Sequence, residues 1–129
     1  MGLSVFDERA PMLGKYDLLP ADGTNNVVIH AVHATAARLD ALIISNNDTI
    51  AHVISVSLRS GAAYYTVGTV SVPAGAGFAA TLPVDAMATL APASLGGLYI
   101  PPGFEVTVAA VVAVVATHYM YIVGMGGFL

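Results

Sequence analysis

The sequence contains no cysteine and no tryptophan, and only four of its 129 residues are lysine or arginine. Without cysteine the chain has no disulfide, no thiolate nucleophile and no thiolate ligand for a metal. The basic residues are scattered at Arg9, Lys15, Arg38 and Arg59, so they form no basic stripe for nucleic-acid phosphates. We therefore expect no nucleic-acid partner.

Charge of either sign is scarce, and apolar residues are abundant. Charged residues make up 9% of the chain and hydrophobic residues 57%, whereas about a quarter of an ordinary soluble domain is charged. A single domain of this length has too small an interior to hide so many apolar side chains. Because a large exposed apolar patch marks a contact with a partner, we expect an obligate homo-oligomer.

The N-terminal segment lacks the basic start and the apolar core of a secretory signal peptide. We expect a protein that is made in a cytoplasm and either stays there or leaves as part of a larger particle. Residues 1–20 show no sustained hydrophobic period and are predicted to form an extended N-terminal arm. Within this arm, residues 12–19 also fit a short strand.

The chain after Glu105 has no charged residue, and three structures compete for it. It exceeds the roughly 20 apolar residues of a membrane span, and a buried helix is the second alternative. Its many valines favour strands over helices. Thr117 and Tyr119 would lie within the lipid, and no flanking Lys or Arg would orient a span. We predict two strands, at roughly 104–112 and 116–124, and no membrane partner.

Clusters of turn-forming residues divide the rest of the chain into short segments of strand character. The alternation of apolar and other residues is clearest over 50–59. Ile50, His52, Ile54, Val56 and Leu58 share one face, and Ala51, Val53, Ser55, Ser57 and Arg59 share the other. Further strands are predicted at 27–35, 38–45, 62–72, 78–82 and 98–100. Gly68 is predicted to mark a bulge or a close approach of the backbone.

The number and spacing of these segments predict the fold class. About eight short strands at roughly 8–12-residue intervals indicate an all-β protein, an antiparallel β-sandwich of jelly-roll or immunoglobulin-like type. The sandwich domain is assigned to residues 21–129. One helical turn is predicted around residues 84–88, with Asp85 as its cap, and crossover helices for a parallel sheet are lacking.

The titratable residues show no pattern typical of catalysis or metal binding. His30 and His33 are three residues apart on a predicted strand, which places them on opposite faces. His52 has no acidic neighbour at metal-ligand spacing, and no two carboxylates are placed as an acid and base pair. The glycine-rich segments lack the motifs of a serine nucleophile or a phosphate loop. We predict no enzymatic activity, no cofactor and no metal.

The remaining candidates for function are apolar and aromatic side chains. The linker Ala113-Val114-Val115 contains no turn-forming residue, which is explained if it lies against another subunit. Tyrosine rings with polar tips suit half-hydrated interfaces, and a sugar-binding platform is the second interpretation. Ten residues are predicted at an oligomer or shell interface: Phe6, Met12, Tyr16, Tyr64, Tyr65, Val112, Val114, Val115, Tyr119 and Tyr121.

Three stretches carry a likeness to a known class of proteins. Residues 42–58 combine a strand, an Asn/Thr turn and an alternating strand, residues 70–75 read V-S-V-P-A-G, and residues 98–108 contain I-P-P-G followed by alternating valines. From Asn26 to about Gly124 the chain resembles small β-sandwich structural proteins of tailed bacteriophages. Capsid decoration (cement) proteins are the most similar of these.

The resemblance implies a non-enzymatic virion protein, commonly a homotrimer, that is made in the host cytoplasm and seated on the capsid surface. Its partners would be further copies of itself and the major capsid protein, and the N-terminal arm would be a natural contact to the shell. Related sandwiches serve as tail, neck or fibre-tip parts, so a protein that binds a receptor or glycan is the alternative. The resemblance transfers no role to any individual residue.

Overall fold

The computed structural model describes residues 12–78, 81–92 and 95–129. These residues form nine β-strands and one short α-helix. The elements are β1 (Met12–Leu18), β2 (Val27–His30), β3 (Ala37–Asn46), β4 (His52–Ser60), β5 (Ala63–Val72), β6 (Val84–Asp85), α1 (Ala86–Leu90), β7 (Leu98–Ile100), β8 (Glu105–Ala110) and β9 (Met120–Phe128). The predicted all-β class is confirmed.

The strands form two antiparallel sheets. One has the order β1-β9-β3-β6, with β7 also paired to β3, and the other has the order β2-β8-β4-β5. The pairs are nested along the chain: β4 pairs with β5, β3 with β6 and β7, β2 with β8, and β1 with β9. The chain is thus arranged as one long hairpin folded over into two sheets, which is the jelly-roll order.

The core lies between the inner faces of the two sheets. Leu42 and Ile44 of one sheet and Ile54 and Val56 of the other are fully buried, and burial of each such side chain contributes roughly 1.5–3 kcal/mol. The alternation predicted for the fourth strand is confirmed from His52 to Val56, whereas Ser57, which was assigned to the other face, is buried as well. Ile50 precedes the strand and is exposed rather than part of the core face.

The two C-terminal strands are present with shifted bounds. β8 ends at Ala110 and β9 begins only at Met120, so residues 111–119 form a longer loop than predicted. β9 then continues to Phe128 and lies between β1 and β3. Among the described residues, no helix is long and apolar enough to cross a membrane.

Three other predicted elements differ in extent. The strand expected over 27–35 ends at His30, and the described residues of segment 78–82 have no strand structure. The helical turn is present as α1, and the carboxylate of Asp85 accepts a hydrogen bond from the Met87 N–H, as predicted for its cap. Because α1 directly follows the two-residue strand β6, this segment both extends a sheet and starts a helix.

The predicted N-terminal arm divides into two parts. Residues 1–11 lie outside the described residues, whereas Met12–Leu18 is strand β1 and pairs with β9 inside the sandwich. Gly14 allows the sheets to meet on this side, because a Cβ at this position would lie 1.7 Å from the Ile29 carbonyl oxygen.

The opposite side of the sandwich is filled by α1. The register of β5 against β4 shifts between Val56 and Ser57, so the bulge expected near Gly68 is confirmed. A Cβ at Gly68 would lie 2.6 Å from Cδ2 of Leu90, which shows that this glycine also permits the close approach of α1.

Candidate interaction surface

Four connecting segments lie at the same end of the sandwich: residues 19–26 between β1 and β2, and three loops, which are the β3–β4 turn, the β5–β6 loop and the β8–β9 loop. Antiparallel pairing places them together, since Asn46 is opposite Met120 and His52 is opposite Val72. The loops belong to sequence segments 41–58, 60–84 and 106–129, which contain a single charged residue, Asp48. The three loops are therefore nearly uncharged, whereas Asp22 lies in the segment between β1 and β2.

Backbone hydrogen bonds join the three loops. The Asn46 N–H donates to the Ala76 carbonyl at 2.7 Å, and the Asn47 N–H donates to the Tyr119 carbonyl at 2.9 Å. The β3–β4 turn is thus bonded to both neighbouring loops. The end of the sandwich behaves as one connected surface rather than as three separate loops.

A buried carboxylate and imidazole lie beneath this surface. Oδ2 of Asp48 is 2.7 Å from Nε2 of His52, and neither side chain is exposed. Because an ionised carboxylate only accepts hydrogen bonds, Nε2 of His52 carries the proton and donates. The other ring nitrogen, Nδ1, has no hydrogen-bond partner within the described part of the chain. Sequence reasoning considered His52 only as a metal ligand and did not predict its pairing with Asp48.

Asp48 also holds two backbone groups. Its Oδ2 accepts the N–H of Val115 at 2.9 Å, and its Oδ1 accepts the N–H of Thr49 at 2.6 Å. Burial, the largest influence on this carboxyl group, works to raise its pKa. The hydrogen bonds from Val115, His52 and Thr49 outweigh burial and lower the pKa of Asp48 from 3.8 to about 2. The ionised carboxylate therefore fixes the β8–β9 loop to the β3–β4 turn.

Asn46 completes the buried polar network. Its Nδ2 donates to the carbonyls of Ile50 at 3.0 Å and Pro73 at 3.2 Å, and its Oδ1 accepts the N–H of Asp48 at 2.9 Å. The side chain is fully buried. The hydrogen bonds of its side-chain amide link the β3–β4 turn to the chain after β5. Asn46 therefore helps to orient loops at the same end as those that Asp48 joins.

Above the network lies an exposed aliphatic surface, which we call the valine platform. It consists of Ile50, Val53, Val111, Val112 and Val115, whose exposed fractions are 41–57%. The Val111 N–H donates to the Val53 carbonyl at 3.0 Å, which joins the loop to β4. Val114, predicted at an interface, is instead packed into the chain's own core with 3% exposure. Its burial anchors the loop, while its neighbours face outward.

An aromatic cluster lies at the same end on the other sheet. The rings of Tyr119 and Tyr121 are 4.7 Å apart, and Phe78 lies about 6 Å from both. The two tyrosines lie together, although Tyr119 precedes β9. The neighbouring Tyr119 hydroxyl, burial and the charge of Asp17 raise the pKa of Tyr121.

Two further predicted tyrosines, Tyr64 and Tyr65, lie at the opposite end. Tyr64 accepts a hydrogen bond from Nη1 of Arg59 at 3.0 Å, and Arg59 also pairs with Glu105. The ring of Tyr65 is 6.0 Å from that of Phe104. The structure therefore separates the predicted interface residues into two groups.

The histidines of the β2 region do not lie on opposite faces of a strand. β2 ends at His30, and the rings of His30 and His33 both approach Phe128, at 5.9 Å and 4.4 Å. Within residues 12–78, 81–92 and 95–129, no group of three His, Asp or Glu side chains is arranged to hold a metal ion.

The ten predicted interface residues have different surroundings. Phe6 lies outside the described residues, and Tyr16 donates a hydrogen bond to Asp22 at 2.8 Å. Met12, Tyr64, Tyr65, Val112, Val115 and Tyr121 are exposed, whereas Tyr16 and Tyr119 are half-buried.

The sequence reasoning missed Ile50, Val53 and Val111 of the valine platform, and it missed the buried network. One feature of the sequence could have indicated the buried network. His52 alternates with Ile54 and Val56 on the core face, and a buried histidine requires a hydrogen-bond partner.

Comparisons of the chain with models of protein families, with curated proteins and with solved structures found no match. Function is therefore inferred from the surface described above and from the resemblance of the sequence.

Proposed function

We propose that this protein is a non-enzymatic virion structural protein. It acts as a decoration or cement protein that binds the outer shell as a homo-oligomer and stabilises the particle. The valine platform carries this proposal, because it is an uncharged, aliphatic surface held in place by a buried network. The resemblance to capsid decoration proteins supports the major capsid protein as the partner that covers it.

The physical properties of the platform suit a permanent contact. Each of its five side chains is about half exposed, so burial against a partner contributes roughly 1 kcal/mol per residue. The β-branched side chains lose little rotamer freedom on binding. Because the platform has no charged group, contact requires no removal of water from an ion.

Binding to capsids that lack the protein tests the proposal. Purified protein is mixed with such capsids, and the bound fraction is measured by co-sedimentation over a range of concentrations. We expect the Val112→Lys variant to bind on the order of tenfold more weakly or worse, because its ammonium group would be buried without a partner.

Val32 supplies a matched control, since Val32 and Val112 have the same exposed fraction of 57%. The Val32→Lys variant should bind as the unchanged protein does. Failure of the unchanged protein to bind these capsids would refute the shell role, and equal binding by both variants would refute the role of the platform.

The tyrosine cluster supports the alternative, a tail or fibre-tip protein that binds a receptor or glycan. Tyr121 is 42% exposed beside Tyr119 and Phe78, and aromatic rings of this kind provide stacking surfaces for sugars. Glycan binding that is lost in the Tyr121→Ala variant, together with no binding to the shell, would establish this alternative.

A further inference from the structure

We propose that the free edge of β5 is an oligomerisation surface, at which β5 of one copy pairs antiparallel with β5 of a second copy. The contact would join two of the four-stranded sheets into one continuous sheet across a two-fold axis. It is independent of the shell-binding role, which uses the valine platform at one end of the sandwich.

The four sheet edges differ in how they are protected against pairing. Proteins commonly protect an edge strand by making it short, by placing charges on it or by covering it. β1 carries Lys15 and Asp17, and Gly14 packs it closely against β2 at Ile29. β2, β6 and β7 have only four, two and three residues. Each of these edges therefore has a recognisable protection.

β5 lacks these protections. It is ten residues long, has no charged residue and no proline, and six of its residues are exposed. Its ladder partner is β4, and no other backbone hydrogen bond of residues 63–72 occurs within the described part of the chain. Alternate residues of an antiparallel strand direct their N–H and C=O groups to opposite sides. Half of these groups in β5 therefore point away from β4.

The bulge of β5 is the one feature that resembles edge protection. It lies next to Gly68, however, where the Leu90 side chain of α1 requires the absence of a Cβ. The packing of α1 on the inner face of β5 thus accounts for the glycine at this position. Within residues 12–78, 81–92 and 95–129, no backbone group is bonded to the outer edge, so this edge can accept another strand.

A second copy of the chain is the partner that this edge fits. Antiparallel pairing about a two-fold axis sets two strands of identical sequence side by side, so every charge on such an edge would occur twice across the contact, whereas a neutral edge has no such repulsion. The outward-facing residues of β5 include Thr66, Thr69 and Ser71, and threonine and serine pairs across strands are favourable. Tyr64 at the end of the strand is already held by Arg59.

The molar mass in solution tests the pairing. Light scattering behind a sizing column should give two copies, or six if the two-fold contact joins two of the trimers that the resemblance implies. The oligomer of the Thr69→Lys variant should have half the molar mass of the oligomer of the unchanged protein. Each paired edge would otherwise hold two ammonium groups, which repel each other. Thr35 is exposed in a loop away from β5, and the Thr35→Lys variant should keep the full mass.

Amide hydrogen exchange gives a second readout that does not depend on a variant. In the oligomer, consecutive amides of residues 63–72 should all be protected, whereas a free edge leaves alternate amides unprotected. A monomer or a simple trimer with alternate unprotected amides would overturn the inference and leave shell binding unaffected. Protection that develops only on addition of capsids would assign this edge to the shell and would equally overturn pairing between copies.

Discussion

The carboxylate of Asp48 connects the candidate surface to the core through three hydrogen-bond donors, on Thr49, His52 and Val115. Buried hydrogen bonds to a charged group each contribute roughly 1.5–3 kcal/mol, and an unpaired buried donor is costly. The position of Val115 on the valine platform thus depends on the ionisation of a single side chain. The stability of the protein should reflect this dependence.

We expect the Asp48→Asn variant to be less stable than the unchanged protein by about 2 kcal/mol at pH 6, because an amide cannot accept all three donors. The pKa of Asp48 is lower in the folded protein, about 2, than its ordinary value of 3.8. Its contribution is therefore complete above about pH 4 and is lost as the pH falls through about 2. Urea unfolding at pH 6 and pH 2 measures both quantities.

The exposed carboxylate of Asp17 provides the control for loss of one negative charge. The Asp17→Asn variant should differ from the unchanged protein by less than about 0.5 kcal/mol. A difference between the Asp48→Asn variant and the unchanged protein that is the same at pH 6 and pH 2 would contradict the assigned role of the ionised group.

At the scale of elements, the junction of β6 and α1 depends on Asp85. Its Oδ1 accepts the N–H of Met87 at 3.0 Å, which caps the helix, and the N–H of Leu42 at 2.9 Å, which belongs to β3. One carboxylate thus holds a helix terminus against a central strand. The short helix α1 in turn packs Leu90 against Gly68 of β5.

Replacement of Asp85 by alanine should lower the free energy of unfolding by about 2–3 kcal/mol. Loss of an N-cap costs roughly 0.5–2 kcal/mol, and the unpaired N–H of the buried Leu42 adds about 1 kcal/mol or more. The Asp85→Asn variant keeps an acceptor oxygen and should lose less than half of this. Denaturant unfolding measures the series, and equal losses for alanine and asparagine would argue against the hydrogen-bonding role.

At the scale of the whole molecule, the last strand in the sequence is the central strand of its sheet. β9 pairs with β1 on one side and with β3 on the other. Its residues Met120 and Ile122 are fully buried. Surface segments commonly tolerate deletion, whereas β9 contributes buried side chains and two ladders to the sandwich.

Deletion of residues 120–129 should therefore abolish the cooperative fold, since both neighbouring strands lose a ladder partner and the core loses its central aliphatic side chains. Deletion of Leu129 alone, which is exposed, should leave a cooperative transition. Circular dichroism during thermal unfolding distinguishes the two outcomes. A cooperative transition in the longer deletion would contradict the strand order.

The all-β class and most strand positions were predictable from the sequence, because turn residues and two-residue alternation act over a few neighbouring positions. Segment 50–59 shows this, since its core face was correct from His52 to Val56. The bulge at Gly68 and the cap at Asp85 were likewise local signals. The exposed apolar surface was also predictable, because the excess of apolar over charged residues follows from residue counts alone.

Only the tertiary structure decided which residues form that surface. The hydrogen bond from the Val115 N–H to the carboxylate of Asp48 joins residues that are 67 positions apart in the sequence. Val112, Val114 and Val115 are equivalent by hydropathy, yet the hydrogen bond of Val115 to Asp48 leaves Val114 in the core and its neighbours exposed. Local pattern determines strand character, whereas the placement of each side chain depends on long-range contacts that local pattern does not encode.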